Sequence, residues 1–403
     1  MSRLRILLLL VALLAPSVRP AQAQTSGWRD TPFTLASSGD GDRYGALTYT
    51  CWDPINPGQL LVAEHGVGVV RYDVRSGSRT LLTTSAETFS YVECSETGWL
   101  YTLIEQRMIA FSPAGGEPVS LSPPPTNFAH DGSGIVYGLL GTTVYAGAAG
   151  AMNDIRSTPF ADGADVALQV SGPDARALYA LVIRRSPDNS QMNHYEVWFS
   201  PSGGNTNPNT GGAPWELRSR TEVGGAYGGP YIRFIPLGDA PAPVGTLMLF
   251  VDPGGSGSSH VSDVLLSNDG GRTFRVVEKR GMGSLSYSTF YAVRDGVMRF
   301  SVSTAPYGPR DFSLSLTNDG GATWQELGKP ALPATPELDG TQIVVARAAP
   351  QVVALSDPSG TYLSTDGGQR WARVGDQRGA LQFSPYLPLQ LLGRNGLTLS
   401  VRA

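Results

Sequence analysis

The chain is 403 residues long, with 49 Gly, 30 Pro, 16% charged residues and a formal net charge of −4. That balance excludes a nucleic-acid or anionic-membrane partner held by bulk electrostatics. Short Val, Leu, Tyr and Thr runs punctuated by turn residues exclude a helical bundle and predict an all-β protein.

In chain order, the first element stands apart from the fold. Arg3 and Arg5 precede an apolar run over 6–15, and Ala21-Gln22-Ala23 precedes Gln24. This is the pattern of a secretory signal peptide, residues 1–23, too short to span a membrane and expected to be cleaved after Ala23. No later stretch approaches the ~18 uninterrupted apolar residues of a membrane span. The mature chain, 24–403, is therefore expected to be exported, extracellular or periplasmic, with no membrane insertion and no cysteine at the cleavage site to carry a lipid.

Strand-like runs then recur in groups of four. The clearest group is 46–82, with "QLLVAE", "VGVVRYD" and "RTLL" following a first strand and separated by short turns. Similar units are predicted over 89–121, 126–160, 165–220, 230–279, 287–328 and 341–375. In the fourth, "SPSGGNTNPNTGGAPW" reads as the usual turn with an insertion. The tail, 379–403, supplies three strands and stops. Its missing partner is found at 27–35, "GWRDTPFTL", which is similar to the "TWQELG" and "RWARVG" segments. Four antiparallel strands repeated radially, with the ring shut by an N-terminal outer strand, make a β-propeller, an architecture that leaves few exposed edges. The predicted fold is a single all-β propeller of four-stranded blades. Eight blades are expected, with seven as the alternative if 126–160 makes no blade of its own.

Three of the turns carry one pattern at near-constant spacing: "SNDGGRTF", "TNDGGATW" and "STDGGQRW". The matching positions are Ser267, Asp269, Gly271, Thr273 and Phe274; Thr317, Asp319, Gly321, Thr323 and Trp324; and Ser364, Asp366, Gly368 and Trp371, with Arg370 where Thr is usual. The pattern resembles the Asp-box, or bacterial neuraminidase repeat, of a superfamily that includes sialidases, sortilin-type receptors, certain endoglucanases and photosystem assembly factors. The resemblance implies the propeller fold and no particular activity, since enzymes and binding proteins share it. Local chemistry assigns these aspartates to structure. A short carboxylate accepts its own loop's N–H groups, the glycines allow the tight backbone, and the aromatic buries against the neighbouring blade. In a meander whose first strand descends, these turns lie on the bottom face.

Function is expected on the top face, where three consecutive blades have long loops, 184–195, 252–263 and 304–311, beside the interblade segment 223–231. Candidate ligand contacts are Asp188, His194, Tyr227, Arg233, Asp252, His260, Tyr307 and Arg310; the alternative is that Gly/Ser-rich loops are tolerated insertions. Sialidases, which the resemblance brings in, carry a Phe/Tyr-Arg-Ile-Pro motif and two further arginines on the substrate carboxylate. Here the nearest string is "YIRFIP", with Arg233 out of order; Arg294 and Arg347 occupy equivalent places on later inner strands. Glu64, Glu93, Asp131 and Asp311 are available as carboxylates, and no spacing selects the pair a glycosidase needs. His65, His130, His194 and His260 fall in four different units without metal-ligand spacing, and no nucleotide-binding loop occurs, so neither a metal nor a cofactor is expected.

Cys51 in "TYTCWD" and Cys94 in "YVECSE" align on neighbouring inner strands. They are either a disulfide or two buried apolar groups. Two functional readings stand: an exported module that binds a glycan, peptide or partner protein, or a secreted sialidase-like glycoside hydrolase. No residue specifies the ligand or the oligomeric state.

Overall fold

Strand Gln59–Glu64 has no polar face, and its packing explains why. Leu60 and Val62 join an apolar cluster with Leu392 from the far end of the chain, whereas Leu61 and Ala63 join another with Leu100, Ile109 and Phe111 of the next sheet. Alternate side chains point to opposite faces, so a strand buried on both sides reads as a continuous apolar run.

The same packing repeats around the molecule, which is a computed structural model. It describes residues 28–34, 50–53, 55–64, 67–84, 92–94, 98–104, 107–123, 125, 127–130, 135–148, 151–160, 165–170, 177–185, 192–210, 212–224, 231–236, 246–252, 262–280, 287–293, 296–303, 311–328, 342–346, 349, 351–357, 359–376, 381–384, 391–395 and 398–402. The leader expected at 1–23 lies outside them.

Seven blades are each made of four consecutive antiparallel strands, spanning 50–84, 92–120, 127–156, 165–224, 231–280, 287–326 and 342–375. One more four-stranded sheet is composite: Leu381–Phe383, Leu391–Asn395 and Thr398–Arg402 come from the tail, and Trp28–Thr34 pairs outside them, with Trp28 opposite Arg402. The expected closure between the two ends of the chain is therefore present. The segment over 126–160, on which the blade count turned, forms its own sheet at 127–156.

Apolar clusters join each sheet to the next all the way round. Met298, Phe300, Phe312 and Leu314 of the sixth blade meet Ile343, Val353 and Leu355 of the seventh. Ala354 of the seventh meets Leu381, Phe383 and Leu391 of the composite sheet. That sheet returns through Leu392 to Trp52 and Leu60 of the first blade. The first strands of the blades are innermost, and those of the first two are covalently tied. Cys51 and Cys94 form a disulfide, with their Cα atoms 6.0 Å apart.

The three repeated turns share one hydrogen-bond scheme. Ser267 Oγ donates to Asp269 Oδ1 at 2.8 Å and accepts the Gly271 N–H at 2.9 Å. Asp269 Oδ1 accepts the N–H groups of Arg272 and Thr273, both at 3.0 Å, while Oδ2 accepts the Thr273 hydroxyl at 2.6 Å. Thr317, Asp319, Gly321 and Thr323 repeat this. The third turn, which lacks the threonine, places the Arg370 guanidinium there instead. Both carboxylate oxygens are thus occupied by their own loop, as their reading as backbone acceptors requires.

The second glycine of each turn has a positive φ, +82° at Gly271, and presses on the preceding blade through Val197. The inserted turn of the fourth blade keeps part of the scheme. Ser200 Oγ accepts the Gly204 N–H at 2.8 Å, but Ser202 stands where the aspartate would be. Its aromatic, Trp215, donates Nε1–H to Ser157 O at 3.2 Å, as Trp371 does to Gly328 O at 3.1 Å; in both cases the acceptor follows the preceding blade's last strand.

Candidate functional site

The repeated turns join third to fourth strands, so they lie at the opposite end of their blades from the hairpins joining second to third strands. We call the latter the upper end.

At the upper end the expected loops are shorter than the sequence implies. Half of the segment over 184–195 is strand: Leu178–Arg185 and Met192–Ser200 pair antiparallel and leave six residues, 186–191, between them. Asp252 ends the strand Leu247–Asp252, and Asp311 begins Asp311–Thr317. The alternation "HYEVWFS" continues the strand pattern into what reads locally as polar loop.

Of the eight candidate contacts, His194 has a described side chain. Arg233 and Asp252 are placed by their backbones, in paired strands with Tyr231 opposite Asp252 and Arg233 opposite Phe250. Asp188, Tyr227, His260, Tyr307 and Arg310 lie outside the described residues, as do Arg294, Arg347, His65 and Asp131. Glu93 and His130 are likewise placed by backbone alone. Glu64 is ion-paired with Arg79. Among the described residues, no three His, Cys, Asp or Glu side chains gather as a metal site would require.

His194 was expected as an exposed loop contact and is instead 7% exposed on a central strand. Its cross-strand partners are Arg184 and Glu222, and Glu196 follows it on the same face, opposite Arg220 and Val182. Lower on that face, Leu178, Ala180, Val182 and Trp198 pack against Tyr137, Leu139, Val144 and Ala146 of the third blade. The fourth blade's last three strands, of 8, 9 and 9 residues, carry the face upward beyond that apolar contact. There its side chains become charged.

Glu196 is at the centre of this polar patch and has no exposed side-chain surface. Its Oε1 accepts Arg220 Nε at 2.8 Å, with the same guanidinium's Nη2 at 2.5 Å. Its Oε2 accepts Trp198 Nε1–H at 2.9 Å and the Arg184 Nη2 donor. Burial pushes the carboxyl's pKa up, but hydrogen bonds from Arg184, Trp198 and Arg220 outweigh it and hold the group below the usual glutamate value. A charged carboxylate this deep is tolerated because every strong acceptor direction is filled.

Two polar atoms beside it are left over. Arg184 Nε and His194 Nε2 are buried and, among the described residues, meet no hydrogen-bond partner; His194 Nε2 is 3.8 Å from Glu196 Oε1. On the blade's other face Tyr195 is buried and hydrogen-bonded to Thr221. Burial raises its phenol pKa against that bond, and the nearby Asp263 charge raises it further. Asp263, on the fifth blade, keeps Oδ1 buried with no partner among the described residues.

This arrangement is suited to holding a group, not to moving a proton. Glu196 is deprotonated at neutral pH and its oxygens are engaged, so it is a poor general acid or base. It binds two guanidiniums, and the Nε of one of them, Arg184, meets no partner among the described residues. Single-residue reasoning passes over Arg184, Glu196 and Arg220 because they sit on three strands. The one local signal is His194-x-Glu196-x-Trp198, polar or amphipathic groups at alternate positions of a strand whose intervening positions are apolar.

No protein-family model matches the chain, and no curated protein aligns with it. Solved structures similar to it include an oligogalacturonate lyase in complex with manganese, at 12% identity over 94% of this chain and 98% of that one, with a TM-score of 0.49. An oligogalacturonate lyase from Vibrio parahaemolyticus aligns at 8% identity over 94% and 98%, with a TM-score of 0.47. BamB from Moraxella catarrhalis aligns at 12% identity over 85% and 93%, with a TM-score of 0.42.

Proposed function

We propose that the chain is an exported Asp-box propeller that binds a ligand, a glycan, peptide or partner protein, on the upper rim of blades four to six. The observation that carries this reading is the polar shoulder of blade four, where Arg184, His194, Glu196 and Arg220 continue a buried face past its apolar contact. Evolution of a rigid scaffold commonly places recognition at such loop-bearing ends. The shared scheme of the three lower turns supports their assignment as Asp boxes and leaves those aspartates no free oxygen for a ligand. Export fits the leader-like pattern at 1–23 and the Cys51–Cys94 bridge, since disulfides persist in oxidising compartments.

The test is binding of the purified mature chain to arrayed glycans, peptides and fractionated surface proteins. It is repeated with a variant in which Tyr227, Tyr307 and Arg310 are all changed to alanine. Loss of binding in the variant is the expected result. Unchanged affinity moves the site elsewhere, and steady turnover of chromogenic glycosides replaces the binding reading with the glycoside hydrolase. N-terminal sequencing of the exported protein should begin at Gln24.

A further inference from the structure

We infer that the shoulder of blade four is a carboxylate-binding site, in which Arg184 Nε and His194 Nε2 hold the two oxygens of an acidic group on the ligand. This deepens the binding reading above and rests on it. Two observations carry it. Both atoms are buried without a described partner, on residues directly opposite each other in neighbouring strands. A buried donor left unpaired costs roughly 1–3 kcal/mol, so a ligand acceptor recovers energy that the empty site has already lost. On this face Arg184 and Arg220 both bind Glu196, and Glu222 is paired directly opposite His194. The Arg184 side chain as a whole is 28% exposed although its Nε is buried, so a ligand would reach Nε along that side chain.

Glu196 is the positioning residue in this arrangement. By engaging Arg184 Nη2 it fixes the guanidinium of the residue paired directly opposite His194. Arg220 binds the other oxygen of Glu196 through both Nε and Nη2, so its free capacity is lower.

The experiment uses the full mature chain and small probes: acetate and D-glucuronate against chloride, phosphate and neutral glucose at constant ionic strength. Binding is read from imidazole NMR signals, which four histidines keep resolvable, and from calorimetry. The His194→Leu variant assigns the His194 signal. Saturable shifts of that signal with acetate and glucuronate, absent with chloride and glucose, are expected. Arg184→Lys, which keeps the charge and loses Nε, and His194→Leu should each weaken glucuronate binding by roughly tenfold or more, as expected for a charge-assisted hydrogen bond. Arg220→Lys should change it less than threefold. Titration of the unaltered chain needs no variant to fold: if carboxylates shift the His194 signal no more than chloride does, the inference is overturned. Equal binding by Arg184→Lys and the parent chain also overturns it, and tighter binding of phosphate than of carboxylate overturns the carboxylate assignment. A ligand found on the rim that carries no acid, bound equally by Arg184→Lys, sinks this inference and leaves the binding reading standing.

Discussion

Arg370 donates its Nε–H to Asp366 Oδ2 at 2.8 Å, occupying the place filled in the sister turns by the hydroxyls of Thr273 and Thr323. The departure from the repeat pattern is therefore compensated by a longer side chain reaching the same oxygen. Arg370 is nearly fully exposed, so its ion pair with Asp366 is screened and weak. Arg370→Thr should leave stability within about 0.5 kcal/mol of the parent, whereas Asp269→Ala, which removes the acceptor of four hydrogen bonds, should cost about 1–2 kcal/mol in urea unfolding.

Acid should unfold the protein through these same carboxylates. Asp319 is held well below the usual aspartate range, first by the Thr323 N–H and then by hydroxyls of Thr323 and Thr317. For Asp269 and Asp366 burial acts upward, yet hydrogen bonds from Thr273 and from Arg370 prevail and both are lowered, as is Glu196. Groups whose folded pKa lies below the unfolded one bind fewer protons folded than unfolded. Their stabilisation is complete above the unfolded values, 3.8 for Asp and 4.5 for Glu, and is lost as pH falls toward the folded ones. The melting temperature should be insensitive to these groups between about pH 6 and 7 and fall steeply below about pH 4, less steeply in Asp319→Ala. An equal acid slope in parent and variant would exclude the turn carboxylates as its source.

Position decides what a methyl group costs at a glycine. A Cβ on Gly321 would lie 2.3 Å from Val277 Cγ1 of the preceding blade, at a φ of +85°. At Gly116 the φ is +101° and nothing lies within 4 Å. Gly116→Ala should cost about 1 kcal/mol, the backbone strain alone, and Gly321→Ala about 2–4 kcal/mol, strain plus the forced shift of Val277. Equal losses in chemical denaturation would show that the blade contact yields freely.

The Cys51–Cys94 bridge closes a loop across a sequence separation of 43 residues, from the first inner strand to the second. Chain-entropy arguments give about 3–4 kcal/mol for a loop of that length. Thiol titration of the denatured, unreduced protein should find no free thiol, and Cys51→Ser with Cys94→Ser should lower stability by about that amount. Two free thiols in the unreduced protein would dismiss the bridge.

Much of the architecture was legible because it is periodic. Blade limits such as 342–375 follow from strand runs and turn residues, and the pairing of Trp28–Thr34 with the tail follows from counting strands. The alignment of Cys51 with Cys94 came from the same register. The polar shoulder was hidden for a physical reason. Arg184, His194, Glu196 and Arg220 meet only through strand pairing, and a carboxylate in "HYEVWF" is locally indistinguishable from an ordinary exposed strand position. His194 reads in the sequence as a loop residue, yet it is buried on a central strand.

The composite sheet imposes a condition on closure. Trp28–Thr34 precedes all seven blades in the chain, but its hydrogen-bonding partner, Thr398–Arg402, follows all of them. Until these two meet, the first strand has no sheet to join and the ring has two open edges. A ring built this way cannot shut before both of its ends are present, so closure depends on strands from opposite ends of the fold meeting in one sheet.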